Sequence, residues 1–200
     1  SRSVLIDSDG AIYARHTIDL SPVQRGADGR LTQDPQSWIS AVDGHFAYAL
    51  NQAKEQQLHI AGASISATSG TFVLADKDGK PVAPAAMYND GRAAHPLARA
   101  EKIIEEVGAG TYLFAHTPEY IVAHLTGQPL HAVATDWSHA MKTGVDLHAK
   151  GWSAVALETA TKSAIALPTV VAPGTLLGKS IVGDIPIYAG MILVTTPMPS

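Results

Sequence analysis

Apolar positions along the chain change their spacing several times, and each change marks a predicted element. The opening, SRSVLIDSDGAIYARHTIDL, places an apolar run Val4 to Ile6 before a turn at Asp7 to Gly10 and a β-rich stretch from Ala11 to Leu20. That is the pattern of a hairpin. The spacing then becomes helical: Trp38, Ile39, Val42, Phe46, Ala47 and Leu50 recur on one face, behind Asp34 as N-cap and Pro35 as first helical residue. This helix is predicted to run to about Gln56. HIAGASISA, rich in β-branched and small residues, reads as a buried strand. TSGTFVLADKDGKPVAPAAMY gives strand, Asp-Gly turn and strand.

The second half is more helical. Ala93 to Val107 is predicted as a helix with Pro96 in its first turn and Gly108 and Gly110 beyond its end. Thr117-Pro118-Glu119 opens a short helix that stops at Gly127, and TDWSHAMKTG allows a turn or two of helix capped at Thr135 or Asp136. GWSAVALETATKSAIAL reads as an amphipathic helix ended by Pro168, after which short apolar runs broken by Gly and Pro predict loops and short strands. No internal repeat is visible.

Composition narrows the function more than the fold. Two hundred residues, 46% of them hydrophobic, suffice for one sizeable core. A net charge of −4 and the lack of any long Lys/Arg run argue against nucleic acid as a partner. The chain has no cysteine, which removes disulfides and thiolate chemistry and fits a reducing compartment. No apolar run approaches the roughly 18 residues of a membrane span, so a soluble, cytoplasmic protein without membrane contact is expected.

Three apparent motifs lead nowhere. The nine histidines never adopt the His-x-x-x-His spacing of a zinc hydrolase, and no metal ligand is assigned. SATSGT, Ser66 to Thr71, lacks the first glycine of a nucleophile elbow. DSDG and DKDG resemble calcium loops but lack the closing glutamate, and hairpin turns account for both.

What remains is two polar clusters. A strand ending in Ala67-Thr68-Ser69-Gly70 would deliver hydroxyl groups to a sheet edge. If the hairpin closes at Asp76 to Lys80, Tyr88, Asn89 and Asp90 stand beside Thr68 and Ser69. An aromatic face next to amide, carboxylate and hydroxyl groups suits carbohydrate recognition. The plain alternative is that Asn89-Asp90-Gly91 makes a turn and caps the next helix, with Arg92 paired to a nearby acid.

The order LIDSDG, QDPQSWISAV, IAGASISATSGTFVLADKDGKPVAPAAMYNDGRA, LTGQPLHAVATDWSHAMKTGVDL, GWS, LPTVVAPGTLLGKS, PIYAGM resembles the N-terminal domain of the FGGY carbohydrate kinases along most of the chain. ATSGT, and Tyr rather than Trp before Asn-Asp, are similar to the pentulose kinase branch, the ribulose and xylulose kinases. The resemblance implies a ribonuclease-H-like α/β domain of the actin-like ATPase superfamily, with a mixed sheet flanked by helices. It implies a sugar held by Thr68, Ser69, Tyr88, Asn89 and Asp90, with ATP as phosphoryl donor and Mg2+ as its counter-ion. Thr135, Asp136 and Lys142 fall in a segment near the family's domain interface, their plain reading being an N-cap and a solvated lysine. A homodimer is left open.

The family's Asp-x-Gly-Thr phosphate loop is not found. Its catalytic aspartate, expected shortly after the turn matching PIYAGM, is absent because Ile192 and Leu193 follow Met191. A long insert expected between Phe114 and Thr117 is lacking, and the ATP-binding C-terminal domain does not follow. The sequence therefore reads as partial, truncated or with gaps joined, and residues 1–200 as the sugar-binding half of a kinase that is inactive in isolation. Two further readings stay open: a catalytically inactive sugar-binding or regulatory module, and a structural domain without a ligand.

Overall fold

A computed structural model describes residues 1–190 of the chain. Its first element pair is the expected hairpin. Strand β1 (Arg2–Ile6) pairs antiparallel with β2 (Ile12–Thr17), and Asp7 closes the turn by accepting from the Asp9 and Ala11 amides. Two short strands, β3 (Gln24–Arg25) and β4 (Leu31–Gln33), lead into helix α1 (Gln36–Glu55). Asp34 starts that helix, its carboxylate accepting from the Gln36 amide at 3.0 Å.

The predicted buried strand HIAGASISA is corrected by the structure. Only Ala63–Ser64 forms a strand, β5, and both residues are half-buried. Strands β6 (Phe72–Ala75) and β7 (Ala85–Ala86) follow, separated by the Asp76 turn, where the Asp76 carboxylate accepts from the Asp78 and Lys80 amides. Helix α2 (Pro96–Val107) begins later than predicted because the residue before a proline avoids the helical region. His95 caps it instead, accepting from the Leu97 amide. Strand β8 (Tyr112–His116) runs directly into α3 (Thr117–Thr126), which Gly127 ends in the left-handed conformation at φ 68°.

Strand β9 (Thr135–Asp136) precedes α4 (Trp137–Ala140) and a 3-10 turn, Met141–Thr143. Beyond lie β10 (Val145–Asp146), β11 (Gly151–Trp152) and α5 (Ala154–Lys162). The last helix stops well before Pro168, because Ala164 turns to a positive φ of 52° and the chain enters β12 (Ile165–Ala166). Strands β13 (Val170–Val171), β14 (Leu176–Lys179) and β15 (Pro186–Tyr188) complete the described chain.

Six strands make the central mixed sheet in the order β12-β8-β6-β7-β4-β3, with β12 parallel to β8 and the other pairs antiparallel. All four β6 residues are buried, and strand alternation sends them to opposite faces. Val73 and Ala75 join Trp38, Val42 and Val122 from α1 and α3 on one side. Phe72 and Leu74 join Leu97, Ile103 and Ala160 from α2 and α5 on the other. A sheet covered on both faces explains the continuous apolar run FVLA. Strand β5 belongs to a separate sheet of order β14-β15-β5. Among the described residues no helix is long and apolar enough to cross a membrane.

Candidate functional site

The register of the central sheet aligns Phe72 with Ala86 and with His116, so the start of β6 and the ends of β7 and β8 meet at one edge. Three loops project there: residues 65–71, residues 87–95 and the turn 136–144. Ser69 and Tyr88 were expected at the ends of neighbouring strands. That route is corrected: the Ser69 segment is a loop, and β5 upstream of it pairs with β15 rather than β7. The two residues meet by another route. The Thr71 hydroxyl accepts from the Tyr88 amide at 3.0 Å, tying the first loop to the second.

Ser69 Oγ donates to the His139 carbonyl at 2.9 Å and accepts from the Lys142 amide at 3.3 Å. Lys142 Nζ stands 5.2 Å above the centre of the Tyr88 ring. Tyr88 is 44% exposed, so its ring is a surface rather than a core contact. Thr68 and Asn89 are also exposed, and neither side chain forms a hydrogen bond within the described residues. Thr68, Ser69, Tyr88 and Asn89 thus border one open surface, with Lys142 among them.

Asp90 lies beneath that surface. It is 3% exposed and accepts from four donors: the Leu31 amide, the Arg92 amide, Arg92 Nε and Arg92 Nη2, all at 2.9 to 3.0 Å. Burial pushes its carboxyl up, but the Arg92 guanidinium and the two amides outweigh burial and hold it below its ordinary value of 3.8. The Met87 amide donates to the Leu31 carbonyl and the Gly91 amide to the Gly29 carbonyl, so the loop is stitched along β4. The crowding of polar residues in YNDGR therefore serves two levels: Tyr88 and Asn89 face outward, while Asp90 and Arg92 anchor them from below. The helix-cap role considered for Asp90 belongs to His95.

Sequence reasoning missed Arg99. It is 3% exposed, and burial lowers its pKa. Its guanidinium donates to the carbonyls of Gly70, Met87, Ala93 and Ala94, clamping the first two loops together. A signal existed: an arginine in the first turn of α2 opposes the helix dipole, which is unfavourable unless the cation has another task.

Two buried acid–histidine pairs fix the third loop. Asp136 caps α4 through the Ser138 and His139 amides and pairs with His139 Nδ1, while His139 Nε2 accepts from the Ala67 amide at 3.2 Å. Burial raises the Asp136 carboxyl, yet the hydrogen bonds from His139 and Ser138 prevail and hold it far below the usual carboxylate range. Behind it, Glu119 accepts from the His116 amide and pairs with His116 Nδ1, and His116 Nε2 meets the Thr143 hydroxyl at 2.9 Å. The expected N-cap role of Asp136 is observed. The position after Met191, where a catalytic aspartate was sought, lies outside the described residues.

The fold and sequence have known counterparts. Residues 1–117 match the N-terminal domain of the FGGY family of carbohydrate kinases. No curated protein sequence matches the chain. Among solved structures, a xylulose kinase from Rhodospirillum rubrum superposes with a TM-score of 0.76 at 19% identity, covering 95% of this chain and 47% of that one. Plasmodium falciparum glycerol kinase with ADP gives a TM-score of 0.79 at 14% identity, with 94% and 45% covered. A ligand-bound xylulose kinase from Lactobacillus acidophilus gives 0.70 at 18%, with 94% and 45% covered. This chain spans about half the length of those proteins. The likeness shows the fold as ribonuclease-H-like and actin-like, an α/β domain with a mixed sheet flanked by helices. With a family match over more than half of its residues, the chain belongs to the FGGY family of carbohydrate kinases.

Proposed function

We propose that the parent protein phosphorylates a pentulose such as D-ribulose or D-xylulose with ATP, and that residues 1–200 supply its sugar-binding half. The observation that carries this reading is the convergence of Ser69, Tyr88 and Lys142 at one sheet edge in a chain of this family. The ring of Tyr88 offers a π-face to sugar C–H groups. Thr68 and Asn89 offer donors and acceptors to vicinal hydroxyls, and Ser69 Oγ keeps acceptor capacity beside the bond it receives from Lys142. Asp90 contributes from below by holding Tyr88 and Asn89 at the surface.

Family membership implies ATP and its magnesium ion. Among the described residues no three His, Asp or Glu side chains gather to hold a cation, and the acids nearest the site, Asp90 and Asp136, are engaged by Arg92 and His139. The described residues do not fit the metal. In this reading a sugar hydroxyl would be oriented on the Tyr88 surface for attack on a phosphoryl group carried by the other half of the protein.

A phosphotransfer screen of the protein from its intact gene, across pentuloses, hexuloses and polyols, tests the proposal. Sugar-dependent ADP release greatest with a pentulose is expected, and the isolated 200-residue chain is expected to release none. Ser69→Ala should raise the sugar KM roughly twofold to tenfold, as for a neutral hydrogen bond lost at an open surface, while leaving the ATP KM alone. Turnover with no sugar in the panel would overturn the pentulose reading.

A further inference from the structure

Lys142 is a cation at this surface, with an exposed side chain carried on an anchored backbone. Its stem packs on Gly70, where a Cβ would come within 3.3 Å of Lys142 Cδ. Its amide is tied to Ser69 Oγ, and its neighbours Thr143 and His139 are held by His116 and Asp136 in the buried interior. The root of the side chain is therefore fixed while its ammonium stands in solvent over Tyr88. Among the described residues it forms no ion pair with a carboxylate, and its ammonium lies over the Tyr88 ring. A rooted ammonium on the aromatic face blocks the place where a sugar would stack, and it is a donor-only group with strong charge-assisted hydrogen bonds to give.

Resting on the sugar-binding reading above, we infer that Lys142 is a substrate-contacting residue: its ammonium leaves the Tyr88 face when the sugar stacks there and donates to an acceptor oxygen of that sugar. Rotation about the flexible four-carbon stem suffices, because the backbone is already anchored. The exchange replaces a cation–π contact with a charge-assisted hydrogen bond to the sugar. Lys142 thereby makes sugar affinity depend on a residue of the third loop, and the ring of Tyr88 is uncovered only when a ligand with acceptor oxygens is present.

Lys142→Met keeps the stem and removes the donor. With D-ribulose and D-xylulose as probes and the protein from its intact gene, it should raise the sugar KM roughly tenfold to a hundredfold, with ATP KM and thermal midpoint unchanged. Lys142→Arg should restore most of the affinity. A purely structural lysine would instead lower the thermal midpoint and leave the KM alone. If Ser69→Ala raises the sugar KM and Lys142→Met does not, this inference falls while the sugar-binding reading stands. If neither variant changes sugar KM in a folded, active protein, the site and the inference fall together.

Discussion

At the scale of single residues, the buried pair Asp90–Arg92 decides how the outward-facing Tyr88 and Asn89 are held. The Arg92 side chain is 7% exposed and that of Asp90 0%, so the pair is shielded from water and its bidentate geometry is not screened by salt. Removing the Asp90 charge leaves the buried Arg92 with only Glu106, 3.9 Å away, as an acid partner among the described residues. Asp90→Asn is expected to destabilise the protein by about 3 kcal/mol, read as a lowered denaturant midpoint. An unchanged midpoint would place Asp90 in solvent rather than beneath the loop. In the sequence these residues were legible as a cluster but not by role: Asn89 and Asp90 are adjacent in the chain, and only the contact with Leu31 of a distant strand turns one inward and leaves the other at the surface.

At the scale of elements, the short helix α4 and the 3-10 turn after it must end abruptly to bring Lys142 back toward Ser69. Gly144 allows this, with φ 110°, and a Cβ there would meet the Ala156 Cβ of α5 at 2.9 Å. Gly144→Ala therefore combines backbone strain with overpacking and should cost about 2 to 4 kcal/mol. It should also raise the sugar KM, because the turn bearing Lys142 is displaced. A stability loss in urea melts with an unaltered KM would uncouple this turn from the site. Helix positions were the most readable elements, since Asp34, Pro118 and Asp136 carry their start signals locally. Strand β5 was misread because its composition is that of a buried strand, whereas pairing with β15, more than a hundred residues away in sequence, limits it to two residues.

At the scale of the whole molecule, Asp90 and Asp136 link stability to pH. Both carboxyls are held below the ordinary 3.8, so each stabilises the folded state at any pH above that value. That contribution is lost as pH falls from about 4 through the depressed folded-state values. Urea midpoints should be flat in this respect from pH 7 to about 5 and then decline, and the decline should be shallower in Asp136→Asn. A variant with the wild-type acid profile would show that Asp136 is not held by His139 in solution.

The sequence by itself determined the helices, the hairpin turns, the α/β class and the order of motifs that marks the family, because caps, turn residues and apolar periodicity act over a few neighbouring positions. Tertiary structure decided which residues share the site. Ser69 and Tyr88 meet through Thr71 and Lys142 rather than through paired strands, Asp90 is drawn inward by Arg92 and Leu31, and Arg99 reaches across to four loop carbonyls. Each of these contacts includes partners distant in sequence or a choice of side-chain direction, and both are fixed only when the sheet register and the packing of its two faces bring the loops to one edge.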